Sequence, residues 1–245
     1  VEPNKRAILE GRSITKHFGA LAALRGIDFS LYEGEILGLI GPNGSGKTTL
    51  FNVITGIYPP TKGSVFFEQR NISGLKPHKI CQMGIAKTSQ IVQPFTRMTV
   101  AENVLVGAMY GGRISQREAW EKTYEVLEFV HLDKLMNVSS GNISVPDRRR
   151  LELARALATS AKVILLDENM AGLTPNEIEE ALNLLRVIRD QGITLMVVEH
   201  IMRAVMGISD RMIVFDYGEK IAEGTPGEIA ENPRVIEAYL GEKYA

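Results

Sequence analysis

The feature that most constrains this chain is a glycine-rich stretch between an apolar run and an amphipathic one: Gly41-Pro42-Asn43-Gly44-Ser45-Gly46-Lys47-Thr48. It fits G-x-x-x-x-G-K-[ST], which chance produces in about one chain in a hundred of this length. Glycines let successive backbone N–H groups turn inward on a phosphate chain, and a helix starting there adds its positive end. Residues 35–40 read as the strand entering the loop, with Leu50, Phe51, Val53 and Ile54 on the buried side of the helix leaving it. Residues 41–46 would then cradle phosphates, Lys47 would meet the β- and γ-phosphates, and the Thr48 hydroxyl would hold Mg2+. Thr49 counts among the nucleotide-binding residues.

The rest of the chain agrees with a sheet built around that loop. Ile27, Phe29 and Leu31 alternate as in a half-buried strand. Val163-Ile164-Leu165-Leu166 is a continuous apolar run, as in a parallel strand buried on both faces, and it ends in Asp167-Glu168. Thr174-Pro175-Asn176-Glu177 supplies an N-cap, a proline at the first helical position and a capping-box glutamate. The helix it opens carries Ile178, Ala181, Leu182, Leu185 and Ile188. A strand at 193–198, a short helix at 202–208, a strand at 211–215 and a closing helix at 233–240 follow. Between the two sheet-forming parts, residues 100–135 carry Trp120, Tyr124, Leu127 and Val130 at helical spacing, with Val126 and Phe129 beside them. The expectation is one α/β domain over residues 1–245, with a helical subdomain over roughly 92–158 inserted into it.

Composition excludes several classes. Lys and Arg total 28 and Asp and Glu 29, a formal charge of −1, which argues against a sequence-independent nucleic-acid binder. Cys81 is the single cysteine and has no disulfide or thiolate partner in the chain. The apolar runs at 163–166 and 193–198 fall far short of a membrane span, and residues 1–6 show no signal-peptide pattern. These features read as a soluble, intracellular protein.

Three further residues point to chemistry at the end of the sheet. A carboxylate such as Asp167, at a strand end in a chain with Lys47 upstream, helps hold Mg2+; Glu168, one residue on, can polarise an attacking water. His200 follows a strand that should neighbour residues 163–167, so it falls where strand ends converge on a ligand. His17, His78 and His131 read as ordinary histidines, and no histidine pair has metal-ligand spacing.

Taken in order, residues 41–48, Gln90, Asp167-Glu168 and His200 resemble the nucleotide-binding subunit of an ATP-binding cassette (ABC) transporter over nearly the whole chain. The resemblance implies an ABC-type P-loop fold: a mostly parallel core sheet, an antiparallel β subdomain and the inserted helices. It assigns Phe18 to adenine stacking, Gln90 to Mg2+ and to sensing the membrane subunit, Ala171-Gly172-Leu173-Thr174 to the D-loop, and His200 to the γ-phosphate. Residues 84–90, 98–103, 208–211 and 232–242 resemble the larger ATPase subunit of branched-chain amino-acid uptake systems. The implied activity is ATP hydrolysis that energises import of a small, hydrophobic amino acid. The implied partners are a second nucleotide-binding subunit, permease subunits and, indirectly, a solute-binding protein, with the chain peripheral on the cytoplasmic face of the inner membrane. Residues 91–100, including Ile91, Val92, Phe95 and Met98, would line the groove that receives a cytoplasmic helix of the permease.

One motif departs from the family. Where Leu-Ser-Gly-Gly-Gln is usual, the chain reads Ile143-Ser144-Val145-Pro146-Asp147. Ser144 remains to contact a nucleotide, but Pro146 has no N–H and Val145 resists backbone angles open to glycine. Asn169 stands where proline usually follows the glutamate. The signature change points to an asymmetric heterodimer. A GTPase is disfavoured because no Asn/Thr-Lys-x-Asp occurs, and a P-loop kinase has no need of Glu168 and His200. A soluble cassette acting on nucleic acid usually carries tandem cassettes or basic insertions, and this chain shows neither.

Overall fold

In the computed structural model, residues 6–88, 94–112 and 114–241 are described. In chain order the first elements are β1 (Ala7–Phe18), β2 (Leu21–Tyr32), β3 (Ile36–Ile40), α1 (Lys47–Ile54), β4 (Lys62–Phe67), β5 (Arg70–Asn71), α2 (Pro77–Met83) and β6 (Ile85–Lys87). Among the described residues three helices follow: α3 (Val100–Gly111), α4 (Gln116–Phe129) and α5 (Val145–Ala158). Then come β7 (Val163–Asp167), α6 (Pro175–Asp190), β8 (Thr194–Val198), α7 (Met202–Ile208), β9 (Arg211–Asp216), β10 (Glu219–Gly224), α8 (Pro226–Glu231) and α9 (Pro233–Gly241).

Two sheets result. One is antiparallel, in the order β2-β1-β4-β5; the other runs β10-β9-β3-β8-β7-β6 and is parallel apart from the β9–β10 hairpin. The strands β3, β7 and β8 are buried along their whole length because both faces of the second sheet are covered. Val163 and Leu165 pack with α1 and the antiparallel sheet, while Ile164 and Leu166 pack toward α5 and α6. β3 begins at Ile36, not at Glu35. The Glu35 carboxylate instead accepts from the Tyr32 N–H at 2.7 Å and pairs with Arg211 at 3.2 Å, which makes it a buried clasp between the two sheets.

The helices between β6 and β7 pack closely. A Cβ on Gly107 of α3 would lie 2.5 Å from the carbonyl of Arg155, so α3 can approach the α5 backbone only with glycine there. The buried stripe of α4 follows the expected spacing in part: Leu127 and Val130 are buried and Trp120 packs half-buried against the core. Ala119, Thr123, Val126 and Leu127 face inward, whereas Tyr124 is exposed and stacks on Trp120 with ring centroids 5.7 Å apart. The small Ala119 and Thr123 allow close packing, and the Thr123 hydroxyl is satisfied by the Ala119 carbonyl at 2.7 Å. Apolar character alone therefore misplaced Tyr124 and left out Ala119 and Thr123.

Candidate active site

The carboxyl ends of β3, β8 and β7 lie side by side. Val198 is in register with Leu39 on one side and Asp167 on the other. The loop leaving β3 is therefore brought against the residues that follow β7 and β8, at the crevice where open α/β sheets bind ligands. The loop geometry depends on glycine at its two ends. Gly41 has φ 148° and an added Cβ there would lie 2.1 Å from the Phe215 carbonyl; Gly46, the N-cap of α1, has φ 106° and a Cβ would lie 2.7 Å from the Ala23 carbonyl. The Lys47 ammonium is buried and donates to the carbonyls of Gly41 and Pro42, both at 2.7 Å, and to Ser45 Oγ at 3.3 Å.

A cleft of about 500 Å³ opens above this loop, lined by Asn43, Gly44, Ser45, Gly46, Lys47, Thr48 and Thr49 together with Phe18, Glu168 and His200. Phe18 is 41% exposed at its rim, edge-on to Tyr58 at 5.1 Å, with Lys16 over its ring. Glu168 Oε1 and His200 Nε2 are 2.7 Å apart. Glu168 holds a left-handed backbone, φ 52°, costly for a residue with a side chain, and its N–H donates to the Val198 carbonyl at 2.9 Å. Asp167 is fully buried, and neither of its carboxylate oxygens has an aligned hydrogen-bond donor. Lys87 Nζ lies 3.0 Å from one of them. A buried carboxylate with unused lone pairs, which shares the lining of an adjoining cavity with Thr48, suits a hard cation such as Mg2+.

Gln90 lies outside the described residues, as do Ile91 and Val92. Ser144 is not among the residues that line this cleft. It is the N-cap of α5, its Oγ accepting from the Asp147 N–H at 3.3 Å and donating to the Asp147 carboxylate at 2.5 Å. The strain expected of Val145 is absent: no residue from 143 to 148 has a positive φ, and Val145 and Pro146 simply form the first turn of α5. Proline fits there because the first-turn N–H groups have no partner within the helix. The difference from a glycine signature is thus one of donors and charge, since the carboxylate of Asp147 also occupies the helix end that would attract an anion.

Some residues in or beside the site were given no role by sequence alone. Tyr217 and Gly218, at the β9–β10 turn, line the cleft, and the Gly218 N–H donates to the Ser45 carbonyl at 3.0 Å. Glu199 is buried, and its Oε1 accepts from the Met170 N–H at 2.7 Å. Burial raises its pKa to about 7 against the opposing effect of hydrogen bonds from the Met170 and His200 backbone, and the charge of Glu168 adds to the rise. Its position beside His200 at a strand end was the one cue in the sequence, and that cue does not separate a buried acid from a solvated one.

A phosphate loop and a glutamate–histidine pair around one cleft, with a buried carboxylate at the adjoining strand end, are the apparatus of a P-loop nucleotide hydrolase. The sequence profile described as ABC transporter matches residues 24–171, and one described as branched-chain amino acid ATP-binding cassette transporter matches residues 219–245. The high-affinity branched-chain amino acid transport ATP-binding protein BraF of Pseudomonas aeruginosa is 40% identical, covering 97% of this chain and 99% of its own. An ATP-binding cassette of an ABC transporter in its ADP conformation superposes with a TM-score of 0.88 at 34% identity, covering 96% of this chain and 99% of the other. A dimeric cassette bound to ADP and Pi gives a TM-score of 0.80 at 26% identity, covering 89% and 98%. This chain belongs to the ABC transporter family and carries its nucleotide-binding ATPase fold.

Proposed function

We propose that this chain is the ATP-hydrolysing subunit that drives uptake of branched-chain amino acids through a membrane permease. The observation that carries the reading is the convergence of Lys47, Thr48, Asp167, Glu168 and His200 at the ends of three adjacent parallel strands. The substrate class rests on the likeness to BraF and on the match of residues 219–245. Phe18 would stack on adenine, and the loop of residues 41–49 would take the phosphates. Thr48, Asp167 and Gln90 would hold Mg2+, which when bound offsets phosphate charge. Glu168 orients and deprotonates the attacking water, and His200, 2.7 Å from it, fixes that carboxylate and faces the γ-phosphate. Phosphoryl transfer asks mainly for such positioning and charge stabilisation.

The working unit in this reading is a head-to-tail pair of nucleotide-binding subunits, seated peripherally on permease subunits that a solute-binding protein supplies. No helix among the described residues is long and apolar enough to cross a membrane. Residues 92–158 act as the helical subdomain that meets the permease. Lys47→Ala should abolish ATP binding or hydrolysis in the assembled transporter. Glu168→Gln should bind ATP normally, slow turnover by roughly 10²–10⁴-fold and trap an ATP-bound dimer. Unchanged hydrolysis in Glu168→Gln would show that another group serves as base.

A further inference from the structure

We propose that Glu199 is a positioning residue for hydrolysis: by accepting the Met170 N–H at 2.7 Å it clamps the strained turn that aims Glu168 at the attacking water. The inference rests on the reading of Glu168 as the base. Glu168 has φ 52°, a conformation that persists only where the surroundings enforce it. Two ties from the end of β8 do so. The Val198 carbonyl accepts from the Glu168 N–H at 2.9 Å, and two residues further along the turn the Glu199 carboxylate accepts from Met170. The next residue on that strand end is His200, in contact with the Glu168 side chain. Backbone, side chain and the following turn of the base are thus all referred to one strand end, Val198-Glu199-His200.

Glu199 itself faces no phosphate. It is 4% exposed and absent from the lining of the nucleotide cleft, so its carboxylate acts through the turn. A buried acid is an expensive choice for a hydrogen-bond acceptor unless the bond needs strength, and a charged acceptor holds an N–H more strongly than a neutral one. Burial places its titration at about pH 7. The charged groups that act on it are Glu168, which opposes ionisation, and His200, which favours it. The clamp is therefore tightest above neutral pH and relaxes on protonation.

The test compares Glu199→Gln, which keeps an acceptor of the same reach without the charge, with Glu199→Asp, which keeps the charge but falls one methylene short of Met170. Each is made in the full chain assembled with its transporter partners, and ATP affinity, kcat and the pH dependence of kcat between 6 and 8.5 are measured. Glu199→Asp should lose about tenfold or more in kcat with ATP affinity within twofold of the parent, because the phosphate loop is untouched. Glu199→Gln should retain most of kcat at pH 7 and lose the inflection near pH 7. Parent-like kcat in Glu199→Asp, equal losses in both variants, ATP affinity falling together with kcat, or an inflection that survives in Glu199→Gln would each overturn the assignment. Glu168→Gln run alongside separates this from failure of the base assignment, which would leave that variant active.

Discussion

Asp167 is wholly buried with Lys87 as its cation, Nζ 3.0 Å from Oδ2, and the same ammonium donates to Asn52 Oδ1 at 3.0 Å. Leaving such a carboxylate without its partner is costly, since the desolvated charge then has nothing to offset it. Lys87→Met should lower unfolding stability by about 3 kcal/mol in nucleotide-free protein. The deficit should shrink when Mg·ATP is added, because Asp167 then regains a cation. Thermal or denaturant unfolding with and without Mg·ATP measures both; a deficit of the same size in each condition would mean that Asp167 does not face the metal. At this scale the sequence was legible where a motif forces a role. Lys47, Thr48 and Glu168 line the cleft that the motif spacing pointed to, and Asp167 ends β7 beside it, which supports the roles proposed above. Lys87 and Glu199 were not legible, because an ionisable residue beside a strand end reads the same whether it is solvated or buried. Only the register of β6, β7 and β8 decides which.

Whole elements were legible where local chemistry sets their ends. Thr174 and Glu177 form the expected capping box, with the Thr174 N–H donating to the glutamate at 2.7 Å, and the same reciprocal pairing starts α3, α4 and α8. These bonds hold Glu177 below the usual carboxylate range. Tertiary packing, which local pattern does not encode, left Tyr124 outside and brought Ala119 and Thr123 into the buried face of α4, where Leu127 and Val130 lie as expected. The loop before α3 is governed the same way. Buried Asn103 accepts from the Phe95 N–H at 2.8 Å and donates to the Phe95 carbonyl at 3.2 Å, which presents the Phe95 ring outward, 47% exposed, beneath the guanidinium of Arg155. An aromatic so held, with no place in the nucleotide cleft, fits the permease-facing groove assigned to residues 91–100. Phe95→Ala should therefore cut transport several-fold per ATP hydrolysed while leaving ATP affinity unchanged. Parallel loss of transport, hydrolysis and nucleotide affinity would place Phe95 in the fold's support instead.

For the whole molecule the decisive region is the start of α5, where Ser144, Val145, Pro146 and Asp147 stand in place of a glycine signature. In the proposed head-to-tail pair this helix end would face the nucleotide held by the partner's loop. Helix geometry survives the substitutions, so shape does not exclude the contact. Chemistry weakens it: Pro146 offers no N–H, the Ser144 hydroxyl is already engaged with Asp147 at 2.5 Å, and that carboxylate repels a phosphate. One lost charge-assisted hydrogen bond is worth roughly 1.5–3 kcal/mol, or about one to two powers of ten in rate if it acts in the transition state. In a homodimer both sites would carry the defect. In a heterodimer only the partner's nucleotide would face it, while Lys47 and Glu168 here would face the partner's signature. The expected arrangement is therefore an asymmetric heterodimer in which this chain's own phosphate loop serves the productive site. Matched complexes carrying Glu168→Gln here, or the equivalent change in the partner, test it through steady-state ATPase and uptake rates. The change in this chain should be the more damaging by about tenfold or more, in keeping with the missing bond. Equal damage, or a fully active homodimer of this chain, would rule the asymmetry out.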